Sequence, residues 1–186
     1  MDAGADSFRR YLSGDDDAFI EIMDMYRMGL IFFINRFVGD YHAAEDISME
    51  CFVYLLVHKH RYNFSVSLKT YLYMIGRSKA LTYIKKRKRM NLNNLDELSA
   101  TPDDLPSPEE FVLCSEEKRQ IERCISSLPN DMQSAVHLVY FEGLTYAEAA
   151  KVMKTSEKRM DNILYNARKK LKGQLDPMIR ERSKAT

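Results

Sequence analysis

The sequence of 186 residues has no long apolar segment, and none of its apolar runs approaches the roughly 20 residues that a helix needs to cross a bilayer. Cysteine is also scarce, since Cys51, Cys114 and Cys124 are an odd number and lie far apart. The N-terminal segment 1–6 lacks the basic start and apolar centre of a secretory signal. These absences exclude an integral membrane protein and predict a reduced, cytoplasmic protein.

Glycine is too sparse for the common catalytic and phosphate-binding motifs. The seven glycines form neither G-x-G-x-x-G nor a Walker-type loop, and G-x-S-x-G, C-x-x-C and H-E-x-x-H are absent. His58 and His60 have no identifiable third metal ligand, and the acidic residues 15–17 suit the N-terminus of a helix better than a magnesium site. We therefore expect no catalytic residue, no metal site and no cofactor.

The net charge is only +1, but the charge is unevenly distributed. Residues 1–60 contain 11 acidic and 5 basic side chains, whereas residues 61–90 contain 9 basic and no acidic ones. Residues 91–126 are again acidic, and residues 127–186 are basic. Two basic blocks separated by acidic ones indicate two surfaces that face polyanions, with other partners between them; solvated helix faces are the alternative interpretation.

Apolar residues recur with helical spacing along the N-terminal half. A first helix is predicted to follow the acidic residues 15–17 and to end at Gly39, and a second to end near His58. A third follows the polar segment 61–65, but its apolar face drifts beyond Gly76, which predicts either a bend or burial on two faces. The apolar stripes are Phe19, Ile22, Met23, Tyr26, Leu30, Phe33, Ile34 and Phe37, then Ala44, Ile47, Cys51 and Leu55, then Leu68, Leu72 and Ile75.

Residues 91–108 are rich in asparagine, aspartate and proline, which predicts a linker. Helices are predicted beyond it, among them one over 129–143 and a short one over 145–153, and no segment alternates long enough to require a strand. The first of them is marked by Cys114, Ile121, Ile125 and Leu128. The sequence thus predicts an all-α protein of two small helical domains, 1–90 and 109–186, joined by a flexible linker.

The last two predicted helices, separated by residues 154–156, have the layout of a helix-turn-helix. Thr145 and Glu148 form a capping-box pattern at the start of the first. With Met160, Ile163, Leu164, Ala167 and Leu171 on the buried side, the other face carries Lys158, Arg159, Asp161, Asn162, Tyr165 and Asn166, followed by Arg168, Lys169, Lys170 and Lys172. Such side chains contact phosphates and base edges, so this face is predicted to bind duplex DNA. A helical hairpin within a bundle is the alternative.

A second basic block, residues 85–89, closes the third predicted helix and follows several aromatic residues. Basic side chains track phosphates, and exposed aromatic rings stack on unpaired bases with about 1–3 kcal/mol per base. This combination predicts binding to single-stranded or melting DNA, unless the rings belong to the core. The rings are those of Tyr62, Phe64, Tyr71, Tyr73 and Tyr83.

From about residue 8 to residue 175, the chain resembles the small, two-domain bacterial sigma factors of the extracytoplasmic-function type. Segment 44–52, AEDISMECF, is similar to the acidic motif that grips the coiled-coil clamp of core RNA polymerase. Segment 67–77 and the basic block 85–89 are similar to the helix that reads the promoter −10 element. The −35 helix-turn-helix is matched by residues 128–129, 140–150 and 167–171.

The resemblance implies a sigma factor that binds core RNA polymerase and directs promoter-specific initiation without a cofactor, while nucleotidyl transfer belongs to the polymerase. Its implied partners also include double-stranded promoter DNA, the melted −10 strand and an anti-sigma protein. Asp46 and Glu50 would contact the polymerase, and loop 61–66 would hold a flipped −10 base. The implied −10 contacts are Arg61, Tyr62, Asn63, Phe64, Tyr71, Arg77, Ser78, Lys85, Lys86 and Arg87. The implied −35 contacts are Thr145, Ser156, Lys158, Arg159, Asp161, Asn162, Tyr165, Asn166, Arg168 and Lys169.

Some residues depart from the family pattern. Tyr71, Ser78 and Met49 stand where tryptophan, asparagine and glutamine are usual, and KRMD at 158–161 replaces the common GTVK. The promoter sequence therefore does not follow from the resemblance.

Two other classes of protein fit parts of the sequence. A free-standing helix-turn-helix regulator would bind duplex DNA without polymerase, often at a palindrome, but no heptad or dimer face is evident. An all-α enzyme that acts on nucleic acid would show turnover, but no convergent acid, base or metal-binding set can be named.

Overall fold

The structure, a computed structural model, describes residues 2–93 and 116–185, and these residues contain helices and no strand. They form two compact units, and the all-α prediction is confirmed for this part of the chain. The helices are α1 (Ala3–Leu12), α2 (Asp17–Val38), α3 (Tyr41–Val57), α4 (Leu68–Asn93), α5 (Glu116–Ser126), α6 (Asn130–Val136), α7 (Tyr146–Met153) and α8 (Glu157–Ala185). A 3₁₀ turn, Lys59–Arg61, follows α3, and a π-helical turn, His137–Phe141, continues α6.

The first unit is a bundle in which α2, α3 and α4 pack against one another and α1 packs on α2 and α4. The predicted stripes form its core: Leu30, Phe33 and Ile34 of α2 are fully buried, as are Ala44 and Cys51 of α3. Burial raises the pKa of the Cys51 thiol to about 12, which suits core packing and not a reactive thiolate. Cys114 lies outside the described residues.

Helix α4 is continuous through Gly76. Gly76 is buried against α2, and a Cβ atom there would lie 2.9 Å from Leu30 Cδ1. Glycine therefore permits the close approach of α2 and α4. The helix also extends to Asn93, three residues into the predicted linker 91–108, whose remaining residues lie outside the described part of the chain.

The second unit contains α5, α6, α8 and residues 146–150 of α7. Helices α5 and α6 pack on α8. On the predicted buried face of α8, Met160, Leu164 and Ala167 have no exposed surface, and Ile163 and Leu171 are half-buried.

Ile121, one of the apolar residues that mark α5 in the sequence, is 44% exposed. Most of the residues around Ile121 on α5 are charged. The buried residues of this helix, Cys124 and Ile125, lie near its C-terminal end.

No helix among residues 2–93 and 116–185 has the length and apolar character required to cross a membrane.

Candidate nucleic-acid and partner surfaces

An exposed groove of about 570 Å³ runs along α3 and is bordered by α4. We call it the α3 groove; it contains both acidic residues predicted to contact polymerase, Asp46 and Glu50. Its other lining residues are Met49, Val53, Tyr54, Val57, His58 and Lys79. Met49, Val53 and Val57 are 42%, 49% and 69% exposed, so the groove combines carboxylates with uncovered apolar surface. Such mixed patches are typical of protein interaction sites.

The charged side chains around the α3 groove are partly paired within the protein. Glu50 accepts a 2.8 Å hydrogen bond from Lys79 Nζ, which crosses from α4. Glu45, which precedes Asp46, pairs with Arg27 of α2 at 2.8 Å. Both pairs are exposed to solvent, where ion pairs contribute little to stability. Glu50 is therefore held near Lys79 but can exchange that partner for another cation at small cost.

Residues 61–67 connect the 3₁₀ turn to α4, and this 61–67 loop is built on a cluster of aromatic rings. Tyr62 is only 4% exposed, and its hydroxyl donates a 2.8 Å hydrogen bond to the Val66 carbonyl across the loop. Its ring lies 4.6 Å from that of Phe64 and 5.1 Å from that of Tyr71. Burial raises the pKa of both Tyr62 and Tyr71, so their hydroxyls stay protonated at neutral pH.

The tip of the 61–67 loop has an unusual backbone. Phe64 has a φ of 59°, in the left-handed region that favours glycine, and the Asn63 side chain accepts a 3.1 Å hydrogen bond from Ser65 N–H. A phenylalanine in this conformation is uncommon and is retained only where surrounding contacts fix it. Asn63 is exposed and Phe64 is half-buried, so this tip presents one amide and part of one ring to solvent.

The predicted −10 residues on α4 lie along its length. Tyr71 and Arg77 are half-buried, whereas Ser78, Lys85, Lys86 and Arg87 are exposed. Burial lowers the pKa of Arg77, and its Nε is enclosed without a hydrogen-bond partner in the described part of the protein. At 1.5 Å per residue, the basic block begins about 20 Å along the helix from Tyr71. Loop and basic block can thus contact separate parts of one bound strand.

The aromatic residues near the basic block do not share one role. Tyr73 is fully buried and packs 5.1 Å from Phe33, so it is a core residue. Phe64, Tyr71 and Tyr83 are half-buried and retain accessible ring surface.

Arg61 is exposed and donates a 3.0 Å hydrogen bond to the Tyr54 hydroxyl, which links the start of the loop to the α3 groove.

Helices α7 and α8 form a helix-turn-helix, and a side chain caps the start of each helix. The Thr145 and Glu148 capping box is present: Glu148 N–H donates to Thr145 Oγ1 at 3.2 Å, and Thr145 N–H donates to Glu148 Oε2 at 2.9 Å. Lys154 in the turn has a φ of 52°, and Ser156 caps α8 by accepting from Arg159 N–H at 3.2 Å. The turn is therefore fixed by local hydrogen bonds at both flanking helices.

The outward face of α8 is entirely polar or aromatic and opposes the buried Met160, Leu164 and Ala167. The exposed residues on it are Lys158, Arg159, Asp161, Asn162, Tyr165, Asn166, Arg168 and Lys169. The most N-terminal of these belong to the first turns of the helix, as in helices that insert end-on toward base edges.

Comparison with known proteins identifies both units. Residues 22–90 match the family described as sigma-70 region 2, and residues 118–171 match sigma-70 region 4. The ECF RNA polymerase sigma factor SigM of Bacillus subtilis is 31% identical over 154 residues, which cover 82% of this chain and 91% of SigM. The chain is an extracytoplasmic-function sigma factor. It binds RNA polymerase and directs promoter-specific initiation of transcription.

Other comparisons agree with this assignment. The RNA polymerase sigma-H factor of Pseudomonas aeruginosa is 27% identical to this sigma factor over 180 residues, which cover 92% of this chain and 93% of that one. The fold is similar to that of a sigma factor, RpoE of Bartonella quintana, solved with the anti-sigma factor NepR. That similarity has a TM-score of 0.69 at 18% identity and covers 85% of this chain and 96% of RpoE.

Most of the predicted contact residues of this sigma factor lie in three places: the α3 groove, the 61–67 loop with α4, and the outer face of α8. The exceptions are Thr145 and Ser156, which cap α7 and α8, and Tyr62, which is buried beneath the loop. Sequence reasoning missed the contribution of α1, where Phe8 packs 5.5 Å from Tyr62 and 6.2 Å from Phe64. It also missed the apolar part of the groove. The spacing of Met49, Val53 and Val57 at every fourth residue was the available signal.

Replacing Thr145 by alanine should lower the stability of α7 by about 1 kcal/mol, because the capping hydroxyl that serves Glu148 N–H is lost. Amide hydrogen exchange of α7 and α8 measures this local stability. Thr145→Ser keeps the hydroxyl and should leave exchange rates close to those of the wild type. Equal protection from hydrogen exchange in Thr145→Ala and Thr145→Ser would show that the capping box does not stabilise the helix-turn-helix.

Proposed function

We propose that this sigma factor divides initiation among its three surfaces. The α3 groove, through Asp46 and Glu50, docks on core polymerase. The 61–67 loop and the basic face of α4 bind the melted −10 element, and the outer face of α8 reads duplex DNA at −35. The observation that carries this proposal is the segregation of chemistry: the groove pairs carboxylates with exposed apolar residues, whereas the outer face of α8 carries mainly cationic and amide side chains.

The proposed mechanism at −10 is capture of an extruded base. Flipping a base out of the stack costs a few kcal/mol, so a loop that binds the flipped base favours the melted state and reads the base at the same time. Asn63 offers the exposed amide for a hydrogen bond, and Phe64 and Tyr71 offer ring surface for stacking. The basic residues 85–87 hold the phosphates of the strand.

The same proposal places the protein in the cytoplasm, where polymerase and chromosomal DNA are found. It assigns the protein no catalytic activity of its own, because the protein only binds these two partners. An anti-sigma protein is a further proposed partner. Its role would be to cover the promoter-binding surfaces and prevent their contact with DNA and polymerase. A solved sigma factor of similar fold was captured with such a partner, which supports this part of the proposal.

The deciding experiment is run-off transcription with sigma-free core polymerase on a library of bacterial DNA fragments. Polymerase alone and the purified chain alone are the controls. We expect discrete start sites only when both components are present, and aligned start sites reveal the −35 and −10 sequences together. Tight binding of the chain to duplex DNA without recruitment of polymerase would instead favour the free-standing regulator.

Replacing Lys79 by methionine should raise the affinity for core polymerase by a few-fold. The substitution removes the cation that pairs with Glu50 at 2.8 Å, and it keeps a long side chain in the wall of the α3 groove. An exposed ion pair is worth roughly 0–1 kcal/mol, which sets the upper size of the gain. Equilibrium titration of labelled protein with core polymerase measures it, and Lys69→Met is the control for loss of a lysine elsewhere on α4. A lower affinity of Lys79→Met would mean that Lys79 itself contacts the polymerase.

A further inference from the structure

One carboxylate near the N-terminus caps two helices at once. Asp2 Oδ1 accepts a 3.3 Å hydrogen bond from Ala5 N–H in the first turn of α1, and Asp2 Oδ2 accepts a 2.8 Å hydrogen bond from Leu68 N–H at the start of α4. Ser67 caps α4 as well, by accepting from Thr70 N–H at 3.1 Å. The first N–H groups of a helix have no partner within it, so Asp2 ties the beginning of α1 to the residue at which the 61–67 loop ends.

Helix α1 also contacts the loop through its side chains. Phe8 is fully buried and packs beneath both Tyr62 and Phe64. On the other side, the guanidinium of Arg9 lies over the Phe64 ring, 4.7 Å from its centre, and pairs with Asp6 at 2.6 Å. The strained Phe64 is thus supported by two successive residues of α1.

The base of the loop has contacts that do not involve α1: Arg61 donates a 3.0 Å hydrogen bond to the Tyr54 hydroxyl, and the Tyr62 ring lies 5.1 Å from that of Tyr71 on α4. The hydrogen bonds within the loop are that of Tyr62 with Val66 and that of Asn63 with Ser65. Each fixes only a short part of the loop. The position of Phe64 at the tip therefore depends on its ring contacts with Tyr62 and with Phe8 and Arg9 of α1, and the end of the loop depends on the anchor at Leu68.

We propose that α1 positions the −10 reading loop, and that Asp2 is the positioning residue that anchors it. The inference rests on the proposed function of the 61–67 loop. A loop held in its binding conformation loses less entropy when it captures a base, and it discriminates among bases because the groups at its tip are fixed in place. Removal of the anchor lets the loop sample other conformations, so both base capture and base preference decrease.

The test uses full-length protein assembled with core polymerase. The probe is a promoter fragment that the wild-type holoenzyme selects from the fragment library, with its −10 element randomised. Sequencing of the bound and open complexes gives the preference at each −10 base, and permanganate reactivity of thymines gives the extent of melting. Core polymerase affinity and binding to the intact −35 duplex are measured in parallel.

Asp2→Ala should reduce the preference at the captured base and the yield of melted complex by about tenfold, the effect of losing a charge-assisted hydrogen bond to the loop end. Polymerase affinity and −35 binding should be unchanged. Asp2→Asn, which keeps one acceptor oxygen for two N–H groups, should show an intermediate loss. The matched control is Asp40→Ala, because Asp40 caps α3 through Ala43 N–H at 3.0 Å in the same unit and forms no hydrogen bond to the loop.

Equal losses in Asp2→Ala and Asp40→Ala would overturn the proposal, because a general loss of stability would then explain both. A loop variant, Asn63→Ala, separates the two levels of inference. If Asn63→Ala lowers the base preference and Asp2→Ala does not, the positioning role of α1 is wrong while the loop assignment stands. If Asn63→Ala also leaves the preference unchanged, the assigned function of the loop is wrong, and the role of Asp2 fails with it.

Discussion

Reversing the charge of Asp46 and Glu50 together should lower the affinity of this sigma factor for core polymerase by about 100-fold, or about 2.7 kcal/mol. Both side chains are exposed in the α3 groove, and Glu50 can exchange its exposed ion pair with Lys79 for a cation of a partner at small cost. Lysines at these positions would face any cation that the polymerase presents, so repulsion is added to the loss of attraction. In the proposed division of labour, the groove has no part in duplex binding.

The measurement is an equilibrium titration with core polymerase, together with a titration of the −35 duplex without polymerase. Asp16→Lys combined with Asp24→Lys is the matched control, since it changes the net charge equally at two exposed positions outside the groove lining, one directly before α2 and one within it. We expect the control to retain most of its polymerase affinity. The groove variant should keep its duplex affinity, and an equal loss of both affinities would contradict the division of labour.

The effect should also depend on salt in a characteristic way. Exposed charges separated by more than about 8 Å are largely screened at physiological ionic strength, whereas apolar contacts are not. If the carboxylates supply long-range attraction and Met49, Val53 and Val57 supply apolar contact, the difference between wild type and variant should shrink as salt rises, while a salt-resistant remainder of binding persists.

The helices that bury one face in the core and expose the other to water were predictable, because this arrangement imposes a 3.6-residue period on the sequence. In α8, Met160, Leu164 and Ala167 are buried on one face, so the polar residues between them lie on the opposite, outer face. The capping box was equally readable, since Thr145 and Glu148 are local to one turn. These features depend on neighbours within four residues and need no knowledge of the remaining fold.

Helix α1 shows why other parts were not predictable. Its buried residues include Gly4, Ala5 and Ser7, which carry no hydrophobic signal, and Phe8 is its only large buried side chain. Gly4 lies directly against the Tyr26 hydroxyl, and Ser7 donates a 2.8 Å hydrogen bond to Glu21. Contacts across 14 to 66 residues stabilise this helix, and a periodicity argument has no access to them.

The aromatic residues illustrate the same limit at the candidate site. Tyr62, Tyr71 and Tyr73 are chemically identical and close in sequence, yet Tyr73 is core, Tyr62 supports the loop from below, and Tyr71 keeps part of its ring accessible. Only the packing of α1 and α2 against α4 separates them. The sequence could therefore name the rings near the −10 surface but could not say which of them a base can reach.

Replacing Arg159 by alanine should reduce −35 binding by about 1–3 kcal/mol and relax selectivity at one base pair of the element. Arg159 lies in the first turn of α8, where its backbone N–H is bound by Ser156 and its side chain is exposed. Its backbone is therefore fixed, and the loss should reflect the guanidinium alone. Binding of selected and mutated −35 duplexes at several salt concentrations measures both the affinity and the preference.

Arg168→Ala is the informative comparison, because Arg168 is also exposed but lies nine residues further along α8, about 13 Å from Arg159. If Arg168 contacts phosphate, its loss should weaken all duplexes alike and lower the slope of log K against log salt by about one, with no change in base preference. Unchanged selectivity in Arg159→Ala would mean that base readout lies elsewhere on the face, at Asn162 or Asn166. Retained affinity for core polymerase in both variants confines the effect to DNA, and a parallel loss of polymerase affinity would contradict the separation of the two surfaces.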